Sequence, residues 1–167
     1  MPDKDTLKRA KKDKAEGKSA STQAGEFIKE QFDHIREGKH GARSTEQAIA
    51  VGLSEARRAS VKLPAPKKGK YGDEVAHKAE LDLEAGKHPH KPNPKRSKAS
   101  EKALQREGSR AATKAAISRH SKTAAAKRTA AEKHESAMKA VETKGPKAMS
   151  EAGKKAARTR KRNEAKN

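Results

Sequence analysis

Cysteine is absent, and so is tryptophan; the chain has one tyrosine and two phenylalanines in 167 residues. Without cysteine there are no disulfides and no zinc finger of the Cys-ligated kinds. With so few aromatics, stacking of unpaired bases, the usual route to sequence-specific RNA recognition, is disfavoured. Long hydrophobic runs are missing too. No segment approaches the roughly 20 apolar residues of a membrane-spanning helix, and the basic stretches carry Ala where a surface-bound helix would carry Leu or Phe. Residues 1–20 have no apolar centre and contain Asp3, Asp5, Asp13 and Glu16, which argues against a secretory or organellar leader. These absences set aside membrane partners.

What is present is positive charge. The net charge is +20, the isoelectric point is near 10.2 and the mean hydropathy is −1.21. Much of the apolar fraction is alanine, which buries little area, so burial at roughly 25 cal/mol per Å² offers little against chain entropy. Low hydropathy with high charge predicts a mainly α chain with extensive disorder: a short antiparallel helical hairpin and a low-complexity basic tail of partial helicity. A cationic surplus of this size favours polyanions.

Charge and hydrophobicity separate along the chain. The net charge is +3 over residues 1–20, +1 over 21–63, +4 over 64–98 and +12 over 99–167. We therefore expect four parts: a basic disordered arm (1–20), a helical hairpin (21–63), a weak third helix with a Pro-rich basic linker (64–98), and an Ala/Lys/Arg-rich tail (99–167). In the hairpin, Ile28, Phe32 and Ile35 recur at i, i+4, i+7, with Phe27 beside them. Gly38 offers a stop. Ser44-Thr45-Glu46-Gln47 has the spacing of a capping box. Ile49, Leu53 and Ala56 then form a second stripe, which Val61 and Leu63 could fold back to cover, and Pro64 and Pro66 end the unit. Two helices make a meagre core, so a homodimer through the hairpin is expected to help. Val75, Ala79 and Leu83 share a face of the third helix, with Asp73 as its cap and Gly86 as its end. Pro89, Pro92 and Pro94 mark an extended linker.

The segment Gly25-Glu26-Phe27-Ile28 … His34-Ile35-Arg36-Glu37-Gly38-Lys39-His40-Gly41-Ala42-Arg43-Ser44 … Gln47-Ala48-Ile49-Ala50-Val51-Gly52-Leu53-Ser54-Glu55-Ala56-Arg57-Arg58-Ala59 resembles a bacterial domain family of unknown function that carries a Lys/Ala/Arg-rich tail. The resemblance implies a bacterial origin and no particular mechanism. The tail is also similar in composition to the basic tails of linker histones, an analogy rather than a relationship.

Candidate binding residues follow from the charge. The densest basic run is Lys154, Lys155, Arg158, Arg160, Lys161 and Arg162, expected to contact phosphates with release of counterions. In the hairpin the candidates are Lys39, His40, Arg43, Arg57 and Arg58. Thr45, Glu46 and Gln47 open the second helix, where a helix-turn-helix protein keeps its reading residues; the near-neutral charge of the hairpin weighs against that use. The expectation is a non-enzymatic binder of DNA, with RNA as an alternative ligand and the nucleoid as its place, recognising charge and shape more than sequence. It would be able to compact or bridge duplexes. The rivals are a scaffold whose hairpin docks an acidic protein and a disordered stress-protective protein. Gly17-Lys18-Ser19 lacks the glycine five residues earlier that a phosphate loop needs, since Lys12 stands there. His88-Pro89-His90 and the pair His34/His40 fall short of a metal-ligand set on spacing alone. No cofactor, metal or catalytic constellation is assigned.

Overall fold

The computed structural model describes residues 2–67, 69, 72–88 and 93–165. Among them are seven α-helices and one 3-10 turn: α1 Lys4–Ala15, α2 Ala20–Arg36, α3 Thr45–Arg58, α4 Asp73–Lys87, α5 Pro94–Gln105, the 3-10 turn Arg110–Ala112, α6 Lys114–Ala126 and α7 Ala130–Glu164. There is no strand among the described residues. The chain divides into two compact units, Met1–Ser121 and Lys122–Asn167. The mainly α expectation therefore holds, whereas helix occupies regions where composition predicts disorder.

Local signals fix several helix ends. The Ser19 side chain accepts from the backbone N–H of Thr22 at the start of α2. Gly38, at φ 73°, ends α2 with a pair of turn bonds, Lys39 N–H to His34 C=O and Gly38 N–H to Ile35 C=O. Ser44 caps α3 by accepting from Gln47 N–H at 3.2 Å. The Gln47 amide reaches back one residue beyond the predicted partner, to Arg43 N–H at 2.8 Å. Ser60 ends α3 in the left-handed region at φ 66°, at a cost of about 1 kcal/mol for a residue with a side chain. Its hydroxyl donates to Gly86 C=O at 2.8 Å, which holds it there.

In the first unit α2 is central, because its two phenylalanines belong to different clusters. Phe32 and Ile35 pack with Ala42, Ala48, Ala111 and Ala112. Phe27 packs with Ala10, Ala24, Ala56 and Val61, with Leu7, Leu53 and Leu63 at the margin. Val61 and Leu63 thus fold back over Leu53 and Ala56 of the second stripe, while Ile49 faces the first cluster. The expected disordered arm is instead α1, which buries Thr6, Ala10 and Asp13 at i, i+4, i+7. That face was invisible to a hydrophobic count because two of its three residues are polar. Asp13 is satisfied by Lys18 at 2.7 Å.

The third helix is α4, which starts after Gly72, with Asp73 as its first residue and not its cap. Gly86 does not end it. It lies in the last turn, packed so closely on α3 that a Cβ there would sit 2.1 Å from the Arg57 carbonyl oxygen. The Ser54 hydroxyl and the Arg58 guanidinium both donate to the buried Asp82 carboxylate, at 2.6 and 2.8 Å, tying α3 to α4 a second time. Burial pushes the Asp82 carboxyl up, but those hydrogen bonds and the charges of Arg58 and Lys78 outweigh it and leave it below its ordinary value. Pro94 is the first residue of α5, with Asn93 accepting from Lys95 and Arg96 N–H as its cap, so part of the expected linker is helical. Tyr71, Pro89, His90 and Pro92 lie outside the described residues.

The region 104–121 shows the largest difference from expectation. Composition groups it with the tail, but it packs on the turn between α2 and α3. Gly41 N–H donates to Leu104 C=O at 2.9 Å and Ala42 N–H to Gly108 C=O at 3.1 Å. The buried Thr45 hydroxyl donates to Ala111 C=O at 2.8 Å. Ala111 and Ala112 complete the first cluster.

These contacts make a test. Gly86→Ala is expected to destabilise the protein by about 1–3 kcal/mol through overpacking. Gly153→Ala, in open space on α7, should be neutral or gain up to about 1 kcal/mol in helix propensity. Urea denaturation of both variants measures the difference; equal stability would contradict the close α3–α4 approach.

Candidate nucleic-acid interface

The predicted cations fall into two groups, distinguished by whether the fold has already engaged them. Arg57 is 8 % exposed. Its Nε and Nη2 donate to the carbonyls of Leu63 and Pro64, both at 3.3 Å, fastening the segment after α3. Burial pushes its guanidinium below its ordinary value, with only the Asp82 charge opposing. Arg57 is thus engaged by the fold, unlike the other hairpin cations, all of which are at least partly exposed. Arg58, one residue and about 100° further round the helix, is half exposed but pairs with Asp82. Lys39 is exposed and pairs with Glu37 at 2.9 Å, whose carboxylate raises its ammonium above the ordinary value. His40 Nδ1 lies 3.0 Å from its neighbour's carbonyl, Gly41 C=O. The His40 ring meets His34 edge-on at 5.8 Å. Arg43 is exposed, with Glu107 3.9 Å away.

The start of α3, where a helix-turn-helix protein would read bases, is engaged by the chain itself. Thr45 is buried against Ala111, Gln47 holds Arg43 N–H, and Glu46 bonds His120 at 2.8 Å. The His120 hydrogen bond is the chief cause that draws the Glu46 carboxyl down to about 2. None of the three points freely toward a groove.

The second group lies on α7. Thr129 opens this helix with a capping box, accepting from Glu132 N–H while the Glu132 carboxylate accepts from Thr129 N–H. Gly145, at φ 79°, breaks the helical path, and Pro146 starts the second arm. No residue of α7 is buried. Lys154, Lys155, Arg158, Arg160, Lys161 and Arg162 are all exposed in this second arm. Among the described residues none of the six has an ion-pair partner, unlike Lys39 and Arg58. At about 100° per residue, Lys154, Lys155, Arg158, Lys161 and Arg162 share an arc of about 120°, with Arg160 on the other side. Six cations lie along about 12 Å of axis at about 1.5 Å per residue. That is one positive charge per about 2.4 Å, sparser than duplex DNA at one negative charge per about 1.7 Å but dense enough for several phosphate contacts at once. The second unit as a whole carries 14 Lys and Arg against five Asp and Glu.

The geometry so far defines a mainly α protein with a compact helical unit and an exposed cationic helix. Within it, residues 4–68, which hold α1 to α3, match a family model described as a family of unknown function (DUF6496). No curated protein and no solved structure matches the chain. No helix among the described residues is long and apolar enough to cross a membrane.

Arg57→Gln is expected to lower stability by about 1–3 kcal/mol. The folded variant should bind duplex DNA within about twofold of the parent, since a buried guanidinium makes no phosphate contact. Denaturation and anisotropy titration of the same preparation would check this; lost affinity at unchanged stability would return Arg57 to the interface.

Proposed function

We propose that the protein is a non-enzymatic nucleic-acid binder. It grips DNA through phosphate contacts of the second arm of α7, with little sequence specificity. The observation that carries this reading is the set of six exposed cations that have no ion-pair partner among the described residues and lie within about two to three turns of one helix. Such contacts release condensed counterions, the dominant source of sequence-independent affinity. Base readout needs donors and acceptors fixed on a rigid element facing a groove, and the engaged start of α3 lends it no support. Lys39, Arg43 and Arg58, exposed but paired, act as secondary contacts by exchanging a carboxylate for a phosphate. Two cationic regions on one chain can hold two duplex segments, the arrangement needed for bridging or compaction.

The test replaces Lys154, Lys155, Arg158, Arg160, Lys161 and Arg162 together with Gln, which keeps helix propensity and removes charge. Affinity for a labelled duplex at physiological salt should fall by at least about 100-fold, with the thermal transition of the first unit unchanged. Single-stranded RNA as competitor ranks the two nucleic acids. Unchanged affinity would reduce these side chains to a solvated surface and favour an acidic protein as the partner.

A further inference from the structure

One region of this strongly cationic chain is acidic. A cavity of about 170 Å³ lies between the start of α1 and the C-terminal half of α2. Its lining includes the carboxylates of Asp3, Asp5, Glu30, Asp33 and Glu37 around His34. The two cations at its wall are already engaged, Arg9 with Glu26 at 2.5 Å and Lys39 with Glu37 at 2.9 Å.

We propose that Asp3, Glu30 and His34 form a binding site for a divalent transition-metal ion of the zinc class. Glu30 and His34 are four residues apart on α2 and so share a face. Asp3, at the N-cap of α1, is brought to them by the backbone: its N–H donates to Glu30 Oε1 at 2.7 Å. His34 Nε2 lies 3.2 Å from Asp3 Oδ2 and 3.8 Å from Glu30 Oε1. One potential ligand atom from each residue lies within 4.8 Å of the others. An ion with ligands at about 2.1 Å in tetrahedral geometry separates them by about 3.4 Å, so only small closure is required.

The second observation is independent of this clustering. The Glu30 side chain is 3 % exposed; its Oε1 accepts from Asp3 N–H, and its other oxygen, Oε2, is buried without a hydrogen-bond partner among the described residues. A carboxylate oxygen withdrawn from water and left unpaired is costly, and a cation supplies what the protein does not. Two carboxylates and one imidazole match the mixed oxygen and nitrogen preference of zinc-class ions, and the exposed side of Asp3 leaves a position for water. His34 keeps its edge-on contact with His40, and its carboxylate neighbours are Glu30, one turn away, and Asp3, 31 residues away. Bound metal would pin the start of α1 to α2, which makes it a structural clasp on the matched domain.

The experiment titrates the metal-free, full-length protein with Co²⁺ and, separately, with Zn²⁺. One equivalent of Co²⁺ per chain is expected to give the visible absorption of a four- or five-coordinate ion, displaced by Zn²⁺. His34→Gln and Asp3→Asn, at the accessible edge of the cluster, should each weaken Zn²⁺ binding by about 100-fold or more while circular dichroism stays unchanged. Glu30→Gln should do the same, provided its helical signal is retained. Absence of saturable binding by the full chain, or binding that survives His34→Gln and Asp3→Asn, would overturn the site and leave an ion-paired histidine cluster.

Discussion

The fold depends on close backbone approach at small residues. With two phenylalanines and a core built mainly of alanine, the helices have few side chains to fill space between them. They come together until backbone meets backbone. A Cβ on Gly52 would lie 2.8 Å from Ile28 Cα, one on Gly86 2.1 Å from Arg57 C=O, and one on Gly41 1.9 Å from Glu107 C=O. Those three positions join α2 to α3, α3 to α4, and the α2–α3 turn to the 104–108 segment. Tight approach raises the number of dispersion contacts that each alanine methyl makes. It also brings backbone and short polar groups within hydrogen-bonding range, as at Thr45–Ala111 and Ser60–Gly86. A chain with little apolar surface thus closes a core without disulfides.

The same economy explains the two groups of cations. In the first unit, several positive side chains are structural parts: Arg57 holds two carbonyls, Arg58 holds a buried aspartate, and Lys18 holds Asp13. On α7 nothing is buried, and the six cations of its second arm have no carboxylate partner among the described residues. A ligand that binds through charge draws first on cations whose partner is water, because an engaged one must first give up its carboxylate. This ordering, more than total charge, directs the functional reading to α7.

Features set by a few adjacent residues were legible in the sequence. The stop at Gly38 and the cap at Ser44 are of this kind, since turn and capping chemistry is local. The apolar stripes of α2 and α3 were legible as well. Non-local features were not. The face of α1 carries Thr6 and Asp13, whose burial depends on partners elsewhere. Ala111 and Ala112 are buried, but alanine is so frequent in residues 99–167 that two buried ones give no contrast. Arg57 and Arg58 are adjacent and alike in sequence, and only the helix rotation sends one inward. His34 and Asp3 meet through the packing of α1 on α2, which no spacing rule anticipates.

The central claim is that binding is polyelectrolyte in nature, and its salt dependence addresses it most directly. Anisotropy titration of a labelled duplex with the full chain, repeated at several salt concentrations, gives log K against log[salt]. With about ten phosphates neutralised the slope should be near −9, with saturable binding at physiological salt. A flat dependence, or no saturable complex at physiological salt, would contradict the account and turn attention to a protein partner of the helical unit.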